Sequence, residues 1–229
     1  MALILSIETS TSVCSVAVHN SGNLLSLCEI TESSAHAERL MQLVLDAVNK
    51  SGSELMDLDA IAVSEGPGSY TGLRIGVSTA KGLAFGLNLP LISINTLQAL
   101  ASGVIVDQGS FIIPVLDARR MEVYREVFDP KLNSISKLDS EILKEGAFEN
   151  FLEKGPVYFI GNAVEKVKTV VTNENARFVP DLTFSALHLG KLAFSKFANQ
   201  DFADLAYLVP NYLKEFKALH SMKNPLLGL

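Results

Sequence analysis

The chain has 229 residues, 48% of them apolar and 19% charged, with a formal net charge of −6. That length holds one large domain or two small lobes around a real core. The mild acidity and scattered Lys and Arg exclude a chain that grips nucleic acid alone, because phosphate neutralisation dominates such binding.

No apolar run approaches the ~18 residues of a membrane span. The start, MALILSIETS, lacks the basic-then-apolar pattern of a signal peptide, so the expected location is cytoplasmic. Cys14 and Cys28 lie in alternating, strand-like segments and read as buried free thiols.

In chain order, residues 2–8, 13–19 and 24–30 read as a three-stranded meander. A helix follows, capped by Ser33 or Ser34, with Glu38 in its first turns, running to about Lys50. A strand at 58–64 leads into SEGPGSYTG, a second helix spans about 71–87, and Leu91–Ile94 is another short strand. The second half repeats the plan: strands at 111–117, 121–128 and near 134–138, a helix from about Ser140 to Leu152, a strand at 157–161, then helical segments at 162–173 and 183–199. A duplicated β-β-β-α-β-α unit predicts an α/β protein of two lobes facing a cleft. The boundary falls within Ser102–Ser110, giving lobes 1–104 and 105–229, with the last segment expected to pack back on the first lobe.

Each lobe's first strand ends in an acid, Glu8 and Asp117. Glu8-Thr9-Ser10-Thr11-Ser12 reads in two ways. It is either a hairpin whose hydroxyls and backbone wrap phosphate beside a hydrated magnesium ion, or a Ser/Thr-rich turn. The glycine-rich loop meets neither phosphate fingerprint. Gly72 is followed by Leu73-Arg74 where the Walker pattern needs Lys-Ser or Lys-Thr, and the spacing of Gly66, Gly68 and Gly72 is not G-x-G-x-x-G. A sharp strand-to-helix turn is the better reading.

The two long helices of the first half are apolar well beyond the roughly 100° face of a surface helix. In 40–48 only Gln42 and Asp46 are polar, and in 72–87 the polar stripe is Arg74, Ser78 and Lys81. Such helices need cover on two sides, by their own sheet and by either more of the monomer or a partner. Gly72, Gly76, Gly82 and Gly86 each cost about 1 kcal/mol relative to Ala, and their four-residue spacing admits a close backbone. We expect a partner interface on Leu40, Leu43, Val44, Ala47, Gly72, Leu73, Gly76, Ala80 and Leu83. The catalytic inventory is thin: His19, His36, His188 and His220 form no His-x-x-x-His pair, and G-x-S-x-G is absent. No catalytic or metal residues are assigned.

ILSIETSTSVCSVAV, SEGPGSYTGLRIGVSTAKGLAFGLNLPLISINTLQALA and VLDARRMEVYREVF, with PNYLK near the end, resemble the TsaB (YeaZ) family of tRNA threonylcarbamoyladenosine synthesis. Lys214 stands where that family usually has Arg. The resemblance implies two RNase H-like lobes of the actin/hexokinase type. It implies a non-catalytic partner of TsaD, the paralogue that transfers threonylcarbamoyl to adenosine 37 of tRNAs reading ANN codons. The ATPase TsaE would join a larger assembly, tRNA would be met only through the complex, and a homodimer would form when the chain is alone.

The resemblance places TsaD, or a second copy, on the helices after His36 and after Gly72. The catalytic relative's metal-binding His-x-x-x-His falls on Thr96 and Leu100 here, which leaves an older peptidase label unsupported. No cofactor is required. Weak ATP or ADP binding by Glu8, Thr9, Ser10 and Asp117 stays open as the basis of an alternative ATPase or kinase reading.

Overall fold

The computed structural model describes residues 1–31, 36–179 and 181–213. The expected cap at Ser33 or Ser34, Lys214 and His220 lie outside them. Strands β1 (Leu3–Glu8), β2 (Val13–Asn20) and β3 (Asn23–Thr31) form an antiparallel meander. Helix α1 (His36–Lys50) crosses to β4 (Ala60–Gly66), and α2 (Tyr70–Leu87) crosses to β5 (Leu91–Asn95). The sheet runs β3-β2-β1-β4-β5, with β4 and β5 parallel to β1.

After α3 (Thr96–Ala101), a second unit repeats this order with β6 (Phe111–Asp117), β7 (Glu122–Phe128), β8 (Ser134–Ile142), α4 (Glu149–Leu152), β9 (Val157–Ile160), α5 (Val164–Lys168) and β10 (Ala176–Val179). Its sheet, β10-β9-β6-β7-β8, has the topology of the first. Helix α6 (Gly190–Ala198) follows.

The first sheet is covered on both faces, which is why β1 and β4 read as nearly continuous apolar runs. Leu5, Ile7, Ile61 and Val63 point to the α1–α2 side. Their alternate neighbours Ile4, Ala60 and Ala62 pack with Leu189 and Ala193 on the other. Thus α6, though late in the chain, belongs to the first lobe's packing. Cys14 and Cys28 are buried and free, and burial pushes the Cys14 thiol up to about 11, far from a ready nucleophile.

Two expected elements differ, and two unforeseen ones appear. The segment from Ser140 is not a helix: β8 continues to Ile142 paired with Glu122, and only the four residues of α4 are helical. The helix expected over 162–173 closes after five residues, and the chain adds β10 as an unforeseen parallel strand beside β9. Helix α3 was also unforeseen. Asn95 caps it by accepting from the Leu97 and Gln98 amides at 2.8 and 3.2 Å, a cap the sequence displays.

Candidate functional site: an interlobe cleft and a two-helix face

A cleft of about 830 Å³ separates the lobes, lined by Ser10–Ser12 and Pro67–Gly72 on one side and Leu116–Arg119, Tyr124 and Asn162 on the other. The hairpin after β1 closes tightly on the start of α2. Ser69 N donates to Ser10 O at 2.6 Å and Thr9 Oγ1 to Gly72 O at 2.8 Å. A Cβ on Gly68 would stand 2.5 Å from Ser10 Cβ, one on Gly72 2.1 Å from Thr9 O, and one on Gly76 2.1 Å from Thr9 Oγ1. These glycines make room for the hairpin, so what Gly72 and Gly76 admit is the chain's own Thr9, its carbonyl at the first and its side chain at the second. The start of α2 is correspondingly spoken for, since Ser69 Oγ also accepts from Gly72 N at 3.3 Å.

The residues expected to hold a magnesium nucleotide are poorly placed for one. Glu8 and Thr9 lie behind the cleft wall, buried to within 1%. Burial pushes the Glu8 carboxyl above the usual carboxylate range, and Ser10 N donates to its Oε1 at 2.6 Å. A carboxyl whose charged form is disfavoured by burial, and which does not line the cleft, is a poor partner for a hydrated cation there. Asp117 does face the cleft, but Lys166 Nζ and Arg119 N each donate to its Oδ1 at 2.6 Å. Of the four residues named for a nucleotide, only Ser10 and Asp117 line the cleft. Among the described residues no group of three His, Cys, Asp or Glu could hold a metal ion.

The outer faces of α1 and α2 are the second feature. The residues expected at the interface point the other way. Leu40, Val44, Ala47, Leu73 and Ala80 are wholly buried and Leu43 nearly so, all except Leu73 within the lobe's own α1–α2 core, against which Leu83 packs partly buried. A helix's own sheet claims its main apolar stripe, and only the surplus stays outside. That surplus is Met41 and Leu45 on α1 and Phe85 on α2, the last 79% exposed. Gly82 and Gly86 lie beside Phe85 with open space above them.

The polar stripe of α2 is not simply solvated. Residues 203–212 run back along the helix as a strap. Ala203 bridges Leu91, Lys81 Nζ donates to Ala206 O and Leu208 O at 3.2 Å each, Asn211 N donates to Glu65 O, and Arg74 Nε donates to Tyr212 Oη at 3.1 Å. Arg74 also lies 4.0 Å over the Tyr70 ring, whose centroid is 4.7 Å from that of Tyr212. The sequence marked Arg74 and Lys81 as polar, but two cations on one helical stripe carry no sign that carbonyls from residues 206 and 208 will meet them.

Two lobes of one topology flanking a cleft define a protein of the actin/hexokinase-like class. A family model described as "TsaD: tRNA N6-adenosine threonylcarbamoyltransferase" matches residues 29–222. The Bacillus subtilis tRNA threonylcarbamoyladenosine biosynthesis protein TsaB is 30% identical over 96% of this chain and 99% of its own length. The Escherichia coli protein of that name is 39% identical over 58% of this chain, which spans 57% of that relative's length. The solved YeaZ from Pseudomonas aeruginosa superposes with a TM-score of 0.81 at 28% identity, covering 93% of this chain and 100% of that one. The chain belongs to the TsaB family.

Thr96 and Leu100, which the resemblance sets against the catalytic relative's histidine pair, have structural roles here, as does His36. Thr96 is fully buried and its Oγ1 accepts from Gly66 N at 3.1 Å, while Leu100 packs among Leu97, Ile112 and Leu116 between the lobes. His36 is nearly buried, with Nε2 3.3 Å from Val13 O.

Proposed function

We propose that this chain is a non-catalytic partner of the threonylcarbamoyltransferase TsaD in forming threonylcarbamoyladenosine at position 37 of tRNAs reading ANN codons. The observation that carries the reading is the surplus apolar face of α1 and α2, Met41, Leu45 and Phe85 around the open Gly82 and Gly86. Exposed apolar surface on ordered helices marks contact with another protein. The matched family model describes the transferase itself, so the partner carries equivalent helices and the two faces meet like with like. Thr96 and Leu100 in place of a histidine pair, and a Glu8 buried away from the cleft, support a role without chemistry of its own. TsaE joins the larger assembly, tRNA is met through the complex, and a second copy takes the same face when the chain is alone.

The experiment is co-purification with the same organism's transferase, comparing the native chain with Leu45→Arg/Gly82→Arg. The native pair co-elutes, the variant does not, and depletion of the chain lowers threonylcarbamoyladenosine in tRNA. Co-elution of the variant, or unchanged tRNA modification on depletion, overturns the reading.

A further inference from the structure

The strap along α2 does more than cover it. Phe85 lies one helical turn beyond Lys81. Tyr207, 82% exposed, sits between the two residues whose carbonyls Lys81 holds, and Val209, 70% exposed, follows. Phe85 thus shares a helix face with Lys81, and Tyr207 and Val209 lie in the chain beside the carbonyls that Lys81 holds.

The turn that carries Tyr207 is tied at both ends. Asp204 Oδ1 accepts from Ala206 N and Tyr207 N at 2.8 and 3.1 Å, and Leu208 N donates to Asp204 O at 2.9 Å. Lys81 closes the other end, as a cation does at the carbonyl end of a helical turn. Leu205 and Leu208 anchor it by packing on the core below. A loop with only a covering role gains nothing from fixing an exposed tyrosine, whereas a rigid aromatic meets a partner at small entropic cost.

We propose that residues 204–209 form one bank of the docking face and contact the transferase together with α1 and α2. This rests on the pairing reading above. Arg74, Ser78, Lys81 and Phe85 make one stripe of α2, the strap reaches that stripe through Arg74 and Lys81, and α1 packs against α2. The floor, Gly82 and Gly86, is open to an approaching helix. The matched transferase model extends through residue 222 and so includes both long helices and the strap. The partner is therefore a chain with apolar-faced helices of the same kind. Tyr207 and Val209 seal the edge of that contact, and Lys81 positions them.

The test is calorimetric titration of the full chain with purified transferase. Tyr207→Asp/Val209→Asp raises Kd about tenfold or more with the thermal midpoint unchanged. Lys81→Met, which keeps both side chains but unties the turn, weakens binding in the same direction. Gly82→Arg serves as the reference on the helix face. If Gly82→Arg abolishes binding and the strap variants leave Kd unchanged, the strap inference falls and the pairing reading stands. If the native chain does not bind the transferase, the pairing reading falls; if it binds and none of the variants changes Kd, the α1–α2 face and the strap both fall as its docking surface. If the strap variants disrupt only self-association, measured by sedimentation of the chain alone, the strap belongs to a contact between copies and the inference is overturned.

Discussion

The two lobes share a sheet topology and differ in what crosses over it. Between the third and fourth strands and between the fourth and fifth, the first lobe places α1 and α2, of 15 and 18 residues; the second places α4 and α5, of 4 and 5. The second lobe still closes its core, with Phe148, Phe159 and Val167 buried. Long helices are therefore not needed to cover such a sheet. Their length and surplus apolar surface in the first lobe point to a use outside the monomer.

The strand-end acids diverge in the same way. Glu8 is buried and biased toward its neutral form, while Asp117 is partly exposed in an ion pair with Lys166. The first hairpin has become part of the support for α2, and the second remains at the cleft surface.

The comparison breaks most readily at Gly76. In Gly76→Val the new side chain meets Thr9 Oγ1, and the hairpin is forced off α2. Overpacking at such a site costs about 1–3 kcal/mol, with the upper end expected because the neighbour is a buried turn. Chemical denaturation measures it, and an unchanged midpoint would mean that the hairpin is not held against α2.

A smaller effect separates the two acids. Because the folded-state pKa of Glu8 is raised, its stabilising contribution is complete below the unfolded value and is lost as pH rises through the folded one. Glu8→Gln removes that loss, so its melting temperature exceeds the native chain's increasingly at higher pH. Asp117→Asn breaks an exposed pair worth about 0–1 kcal/mol. A pH series of melting temperature checks Glu8→Gln, and chemical denaturation at one pH checks Asp117→Asn.

The smallest effect is at Gly82, open on the helix surface. Gly82→Ala stabilises by up to about 1 kcal/mol through helix propensity, whereas Gly76→Ala, with its Cβ against Thr9, destabilises. A loss of stability in Gly82→Ala would show that this position is not free.

The first lobe was the more legible in the sequence because its elements are long and locally consistent. Period-two strands, an 18-residue helix opening after Ser69, and Asn88 in the left-handed conformation at its end agree with one another. In the second lobe local pattern lost to pairing: Ile142 and Leu143 are spaced for a helix, but β7 offers Glu122 and Met121 as strand partners. The exposed face of α1 and α2, proposed above for docking, was legible as an excess of apolar residues, but not in its direction. Periodicity finds the stripe buried by the sheet before the surplus left outside. The strap was hidden because residues 203–212 have no regular period, and their partners on α2 lie more than a hundred positions earlier.

The place of α6 bears on how the chain is made. The first lobe opens the sequence, yet Ile4, Ala62 and Ile92 obtain their cover from Leu189 and Ala193, after the entire second sheet has been synthesised. The second lobe is in effect an insertion into the first. A nascent chain that has emerged only through β5 bears a sheet with one bare apolar face. The lobe that starts first must finish last, and its sheet stays bare on one face until residues 189–193 have followed the second lobe out of the ribosome.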